Sequence, residues 1–312
     1  KMNIVDRRLS DLQSSINDEE GYEVDNVNAK LESVAIHAAS VGNTEIVEGA
    51  ANEVRDAMQA ALEDLSELVN ITTTTNEDGK LSLFVDGYEM VTDNAMTGSV
   101  KLHTDSNGMN FIADSRTGDV LTLQTGTVKA LIDVRDGAIK DLRDQINSLA
   151  SNLITEVNAL HQTGFNLSGG NDGSLTFFTG TNASDIGVNS AIISDPRLLQ
   201  AAGTGEVGDN TVIRAMAEVG DIAISGLSNM TFSEHYGNTI SRFGQAMALT
   251  DTRLIDQQSV QNMLEKQRDS VQGVSIDEEV ANLIIYQRAF QASARLISTM
   301  DTLMNDVLNL QR

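Results

Sequence analysis

The chain has 312 residues, which is enough for two or three domains with a substantial core. Its formal charge of −24 argues against a nucleic-acid partner, whose phosphates require Lys and Arg, and against an anionic membrane surface. The absence of Cys excludes disulfides, thiolate metal sites and Cys nucleophiles. The sequence contains no run of about 18 apolar residues, so it predicts no membrane-spanning segment.

The first segment predicts three helical pieces. Residues 1–20 have weakly periodic apolar positions and predict the end of a helix, followed by an acidic stretch with Gly21 in it. A short helix is predicted at about 28–41. The pair Gly42-Asn43 predicts a turn before a second helix at about 44–69.

From residue 70 the pattern changes to strands. The run 71–75 is β-branched, 81–85 alternates between apolar and other residues, and the turn 76–79 between them predicts a hairpin. Three more short strands are predicted, separated by turns rich in Asp, Asn and Gly, at 100–103, 109–113 and 120–123. Together they predict a small antiparallel β subdomain at 70–126.

Long helices are predicted again after this subdomain. The region 127–163 has apolar residues three and four positions apart, as in a coiled coil: Ile139, Leu142, Ile146, Leu149, Leu153, Val157 and Leu160. A glycine-rich loop, a short helix after Pro196 and a helix at 211–223 follow. Another long helix is predicted at about 232–271, with a heptad seam that is only partly apolar.

The last stretch has a clear helix start. Ser275 can accept the N–H of the third helical residue and Glu278 can reach back, forming a capping box. From Ile276 onward there is neither Gly nor Pro, which predicts one helix to the end of the chain. Two neighbouring apolar stripes run along it, a face too wide for one partner, so it should contact at least two other helices. A core helix within this chain is the simpler alternative.

These elements predict an α+β protein, a long coiled-coil-like helical rod with an inserted small antiparallel β subdomain. The predicted segments are a helical part of the rod at 1–69, the β subdomain at 70–126, a long helix with a loop-rich region at 127–230, a return helix at 231–274 and a C-terminal coiled-coil helix of an inner-tube domain at 275–312.

No residue pattern supports catalysis or a cofactor. The four histidines, His37, His103, His161 and His235, are scattered without metal-ligand spacing. Two turns rich in Asp, Asn and Gly lack the Glu that completes a calcium loop and match hairpin turns better. We expect no catalytic residue, no metal site, no cofactor and no enzymatic activity.

Four stretches of this sequence resemble a known family. The run V-S-I-D-E-E-V-A-N-L-I-I-Y-Q-R-A-F-Q-A-S-A-R-L-I-S-T-M-D resembles the C-terminal signature of bacterial flagellar axial proteins. The stretches 53–69, 126–164 and 177–196 are similar, in the right order, to the family of hook-associated protein 1, the first hook–filament junction protein. The match covers most of 44–312, and the family's N-terminal stretch is absent, so we expect the C-terminal two-thirds of a family member.

The resemblance implies a structural adaptor that is exported by the flagellar type III route and works outside the cell in the flagellum. Implied partners are the hook protein, the second junction protein, further copies of this chain and an export chaperone, with neither nucleic acid nor membrane insertion. We expect one set of residues on the last helix to make these contacts: Ile276, Val280, Leu283, Tyr286, Phe290, Leu296, Ile297, Met300, Leu303, Val307 and Leu310. The substitution Leu303→Glu should abolish assembly while the β subdomain stays folded.

Three alternatives stay open at this point. The chain could be another flagellar axial protein, either flagellin or the second junction protein, since these share long terminal helices. It could be a secreted enzyme carried on a helical stalk, with the β region as the active part, or a generic coiled-coil adhesin.

Overall fold

The computed structural model describes residues 1–47, 52–206, 208–272 and 276–309. Side chains are described for 1–41, 52–206, 208–270, 280–300 and 302. The chain is α+β, mainly helical with small antiparallel sheets, and it divides into two compact units, residues 1–243 and 244–312. Among the described helices, none is both long and apolar enough to cross a bilayer.

Helix α1 runs without a break from Met2 to Val47, and α2 follows at Asn52–Leu68. The predicted interruptions at Gly21 and Gly42-Asn43 are therefore wrong, because both lie inside α1. A glycine within a helix costs only about 0.5–1 kcal/mol relative to Ala. Burial of α1 on both sides of Gly21 outweighs that cost, since Glu20 and Val24 are both in the interior.

Six strands form the β subdomain. A four-stranded antiparallel sheet contains β1 (Ile71–Thr75), β2 (Leu81–Val85), β3 (Tyr88–Thr92) and β4 (Ala95–Met96) in that order. A separate hairpin contains β5 (Val100–Thr104) and β6 (Asn110–Asp114).

The β1–β2 hairpin and the β5–β6 hairpin are confirmed, whereas β3 and β4 were missed. The predicted strand at 120–123 is wrong, because Val120 makes only an isolated bridge to Ala113. Leu121 and Leu123 are nevertheless buried, so this segment contributes apolar side chains to the core without forming a ladder.

The main core lies between the second half of α1, α2 and the β subdomain. Alternation in β2 buries Leu81, Leu83 and Val85 on one face. They pack with apolar residues of α1 and α2 that recur three and four positions apart: Val24, Val27, Leu31, Val34, Ala38, Ala61, Leu65 and Leu68. This core holds the β subdomain directly against the two helices.

The predicted helix at 127–163 contains a π-helical segment. It consists of α3 (Thr127–Asp133), the π turn (Val134–Ile139) and α4 (Lys140–His161). Gly126 precedes it with φ of +97°, and a Cβ there would lie 2.4 Å from the carbonyl oxygen of Leu68. Only glycine fits this junction between α2 and α3.

The apolar seam of α4 contacts several short elements of the same unit. Val157 packs with Val212 and Met216 of α6 (Thr211–Glu218). Leu149 packs with Ile224 and Leu227, which belong to a loop with a single 3₁₀ turn. A coiled-coil spacing is therefore used here for packing against several local partners.

The remaining elements are short or terminal. A small ribbon pairs β7 (Phe178–Thr179) with β8 (Gly187–Val188), and α5 spans Ser190–Ser194. The predicted short helix at Pro196 is confirmed as a 3₁₀ turn, Pro196–Leu198, capped by the Asp195 carboxylate. The two long helices are α7 (Phe232–Gln272) and α8 (Ile276–Asn309).

Candidate assembly surface

Helix α8 carries ten of the eleven predicted contact residues. Seven of them have described side chains, and all seven are between 50% and 77% exposed: Val280, Leu283, Tyr286, Phe290, Leu296, Ile297 and Met300. They lie on one continuous helix, as the spacing predicts. Within the described chain these side chains contribute nothing to a core.

The other predicted residues are not open to description. Ser275 and Leu310 lie outside the described residues. Ile276, Glu278, Leu303 and Val307 belong to α8, but their side chains lie outside the described ones. The capping box of Ser275 and Glu278 therefore stays a prediction.

Two further apolar residues of α8 were missed. Ile284 and Ile285 are 43% and 61% exposed and stand between Leu283 and Tyr286. Successive residues of an α-helix are about 100° apart, so these four consecutive apolar side chains point in four directions around the axis. Over this one turn the apolar surface of α8 faces every direction around the axis, which is wider than a contact with one partner helix requires.

Helix α7 starts at a capping box. The Thr231 hydroxyl accepts the N–H of Glu234 at 3.1 Å, and the Glu234 carboxylate accepts the N–H of Thr231 at 2.9 Å. These bonds lower the pKa of Glu234, with the Thr231 N–H as the largest cause. From there a seam of exposed apolar residues runs at spacings of four and three: Tyr236, Ile240, Phe243 and Met247.

The first half of α1 buries polar residues and leaves apolar residues exposed. Its apolar residues Ile4 and Leu12 are about half exposed, at 55% and 49%. Its buried residues are polar and recur every seven positions, at Asp6, Gln13 and Glu20. This face was missed because buried polar residues do not register as hydrophobic periodicity, although the sevenfold spacing continues into the apolar Val27 and Val34.

Two arginines bind this polar face. Arg143 of α4 lies 3.2 Å from the carboxylate of Asp6 and 2.8 Å from the side-chain oxygen of Gln13. Arg135 of the π turn donates to Glu20 at 2.8 Å. The Gln13 side chain also donates to the backbone carbonyl of Arg135 at 3.4 Å. Helix α1 therefore contacts both the backbone and the side chain of Arg135 in the π turn.

Among the residues with described placement, no three His, Asp or Glu side chains come together in a way that could hold an ion. The described residues thus offer two exposed apolar surfaces, one on α8 and one on α7.

Two family models match this chain. The model described as the flagellar hook-associated protein FlgK helical domain matches residues 1–178. The model described as the C-terminal part of the flagellar basal body rod FlgEFG proteins matches residues 261–310, which include all of α8. The first match covers more than half of the chain.

The chain belongs to the FlgK family of flagellar hook-associated proteins.

Named relatives agree with this family. Flagellar hook-associated protein 1 of Bacillus subtilis is 23% identical over 346 residues, covering 98% of this chain and 68% of the relative. The protein of that name from Salmonella typhimurium is 31% identical over 131 residues, covering 42% of this chain and 23% of the relative. The chain therefore spans about two-thirds of the first relative and aligns with under a quarter of the second.

A solved structure supports the fold. The flagellar hook junction protein FlgK from Burkholderia pseudomallei matches with a TM-score of 0.50 and 20% identity, over 57% of this chain and 34% of that chain. The FlgK family is made of structural flagellar proteins and not of enzymes. The family match also includes residues 1–43, a region outside the resemblance found from the sequence.

Proposed function

We propose that this protein is a structural component of the hook–filament junction of the bacterial flagellum. It assembles on the hook and supports the second junction protein and the filament. The proposed partners are the hook protein, the second junction protein and neighbouring copies of this chain. Before assembly it travels by the flagellar type III route with an export chaperone.

The observation that carries this proposal is the exposed apolar surface of α8 in a chain of the FlgK family. Phe290 is 77% exposed, although Phe is a residue type that proteins usually bury, and the large aromatic side chain of Tyr286 is 74% exposed. Contiguous apolar surface of this kind marks a protein–protein contact. The predicted five-segment organisation, with 275–312 as the inner-tube helix, is part of this proposal.

The test introduces a substitution of one apolar residue of α8 into the chromosomal gene. Phe290→Glu should abolish filament formation and motility, because a buried unpaired carboxylate in the assembled contact costs far more than an exposed one. The control Gln291→Glu adds the same charge to an exposed neighbour and should leave motility unchanged. Circular dichroism of the purified variant should match the parent chain.

Secretion of the variant distinguishes the two contacts proposed for α8, assembly at the junction and binding of the export chaperone. Secreted but unassembled Phe290→Glu protein would place the defect at the junction, and protein retained in the cell would place it at the chaperone contact. Normal filaments on cells carrying Phe290→Glu would refute the assignment of this surface.

A further inference from the structure

Glu20 and Arg135 form a fully buried charged pair away from α8. Neither side chain has any solvent exposure, and one carboxylate oxygen of Glu20 lies 2.8 Å from Nη1 of Arg135. The other oxygen, Oε1, is buried and has no hydrogen-bond partner in the described part of the chain. A buried carboxylate with an unbonded oxygen is costly, because charge needs solvent or donors around it.

The guanidinium of Arg135 is already well paired without Glu20. Asp136 accepts from Nε and Nη2, both at 2.8 Å, in the two-pronged geometry that suits a carboxylate. Glu20 instead shares Nη1 with two uncharged oxygens, Asn17 Oδ1 at 3.0 Å and the Asn110 carbonyl at 2.6 Å. Glu20 is thus the more weakly held of the two carboxylates.

The charges around Glu20 do not balance. From the π turn it faces Arg135 and Asp136, one cation and one anion. Arg143 of α4 is engaged by Asp6, and the β5–β6 hairpin contributes the uncharged Asn110 beside Arg135, with Asp105 further along its turn. With Glu20 ionised, two carboxylates surround one guanidinium.

The hairpin is bound to α1 within one turn of Glu20. Asn17 Oδ1 accepts the N–H of Asn110 at 2.7 Å, and the Asn110 side chain donates to the Asn17 carbonyl at 2.8 Å. Asn17 also donates to the carbonyl of Gly108 in the hairpin turn at 3.1 Å. Any loosening around Arg135 therefore reaches the contact between α1 and this hairpin.

We propose that Glu20 is a proton-operated latch that holds α1 against the π turn and the β5–β6 hairpin. The latch is tight when the Glu20 carboxyl is neutral and looser when it is ionised. Protonation removes the excess negative charge and leaves the pair of Arg135 and Asp136. This inference stands apart from the junction role, since it concerns the interior of residues 1–243 and not the surface of α8.

The direction of the pH effect follows from linkage. Burial is the largest cause that raises the pKa of Glu20, from 4.5 to about 7. Between those values the closed state binds more protons than the open state, so closure is favoured as pH falls. The stabilisation is complete below about pH 4.5 and is lost as pH rises through about 7.

The test is native-state hydrogen exchange of the Asn110 amide in the whole chain, after correction for the intrinsic exchange rate. A pKa change of this size predicts roughly tenfold higher protection at pH 6 than at pH 8. In Glu20→Gln, which has no titrating group here, the two values should differ by less than about twofold. The control Glu19→Gln removes a charge from an exposed neighbour and should keep the tenfold change.

Equal pH dependence in the parent chain and Glu20→Gln would overturn the proposal. Carboxyl-carbon NMR of Glu20 in the parent chain gives a second measurement, which holds even if the variant folds poorly. A midpoint near 7 supports the latch, and a midpoint at or below about 5 rejects it.

Discussion

At the scale of single residues, His161 shows how one buried polar group organises a loop region. It ends α4 with no solvent exposure and bonds through both ring nitrogens. Nε2 accepts the N–H of Gln200 at 3.1 Å, which leaves the proton on Nδ1 for the carbonyl of Leu175 at 3.0 Å. The neutral ring thus joins the loops on either side of the β7–β8 ribbon to the end of α4.

We predict that acid weakens this contact. Burial is the main cause that lowers the pKa of His161 below 6.5, so the folded state favours the neutral ring. Its contribution is present above about pH 6.5 and is lost as pH falls through the folded-state pKa, because the protonated ring can no longer accept from Gln200. Hydrogen exchange of the Gln200 amide should accelerate, relative to its intrinsic rate, between pH 7.5 and 5.5.

Two variants test this assignment. His161→Phe should expose the Gln200 amide at every pH, with a cost of about 1–3 kcal/mol for the unsatisfied groups, and should show no acid step. His103→Phe, at an exposed position of β5, should retain the parent behaviour. An acid step that survives in His161→Phe would assign it to another group.

At the scale of elements, α1 shows why its predicted breaks failed. Its first half is held by hydrogen bonds that Arg143 and Arg135 donate to the side chains of Asp6, Gln13 and Glu20, and its second half is held by apolar packing. Both halves use the same sevenfold line of the helix, so a break at Gly21 would put them out of register. Tertiary contacts along the whole length outweigh a single weak helix former.

The capping box at the N-terminus of α7 allows a prediction for a single amide. Thr231→Ala removes the hydroxyl that accepts the Glu234 N–H and should cost about 1 kcal/mol at this helix end. Hydrogen exchange of the Glu234 amide should then be roughly fivefold less protected. Ser233→Ala, at an exposed position in the first turn, is the matched control and should change little.

An unchanged Glu234 amide in Thr231→Ala would mean that the capping box does not hold the first turn in solution. Loss of protection throughout α6 as well would contradict a local effect, because the capping bonds join only Thr231 and Glu234.

At the scale of the whole molecule, the two units differ in how their described side chains are buried. Residues 1–243 contain the buried clusters, whereas the described side chains of 244–300 are exposed. An exposed helix depends on its own backbone hydrogen bonds, which open readily in water. Helix α8 and the part of α7 after residue 243 are therefore the elements that a bound partner would stabilise most.

We predict rapid hydrogen exchange across 280–300 in the isolated chain and slow exchange at Leu31 and Leu83 of the core. Addition of purified hook protein, second junction protein or export chaperone should slow exchange on α8 and leave the core unchanged. Strong protection of α8 in the isolated chain would instead support the alternative of a helix buried within this chain.

The sequence by itself determined a large part of this protein. The position of the β subdomain, the long helices near 127, 232 and 276, and the hairpin turns all follow from periodicity and turn residues, which act over a few neighbouring positions. The double apolar stripe of α8 was likewise readable, and the family resemblance was carried by contiguous motifs.

Only the tertiary structure decided the rest. It placed Glu20 beside Arg135 across 115 positions of the chain and joined His161 to Gln200 across 39. It also showed that α1 continues without a break across its glycines and that the polar side of the first half of α1 is buried. Buried polar groups produce no hydrophobic periodicity that would show their burial in the sequence, since the partner that makes burial tolerable comes from a distant part of the chain.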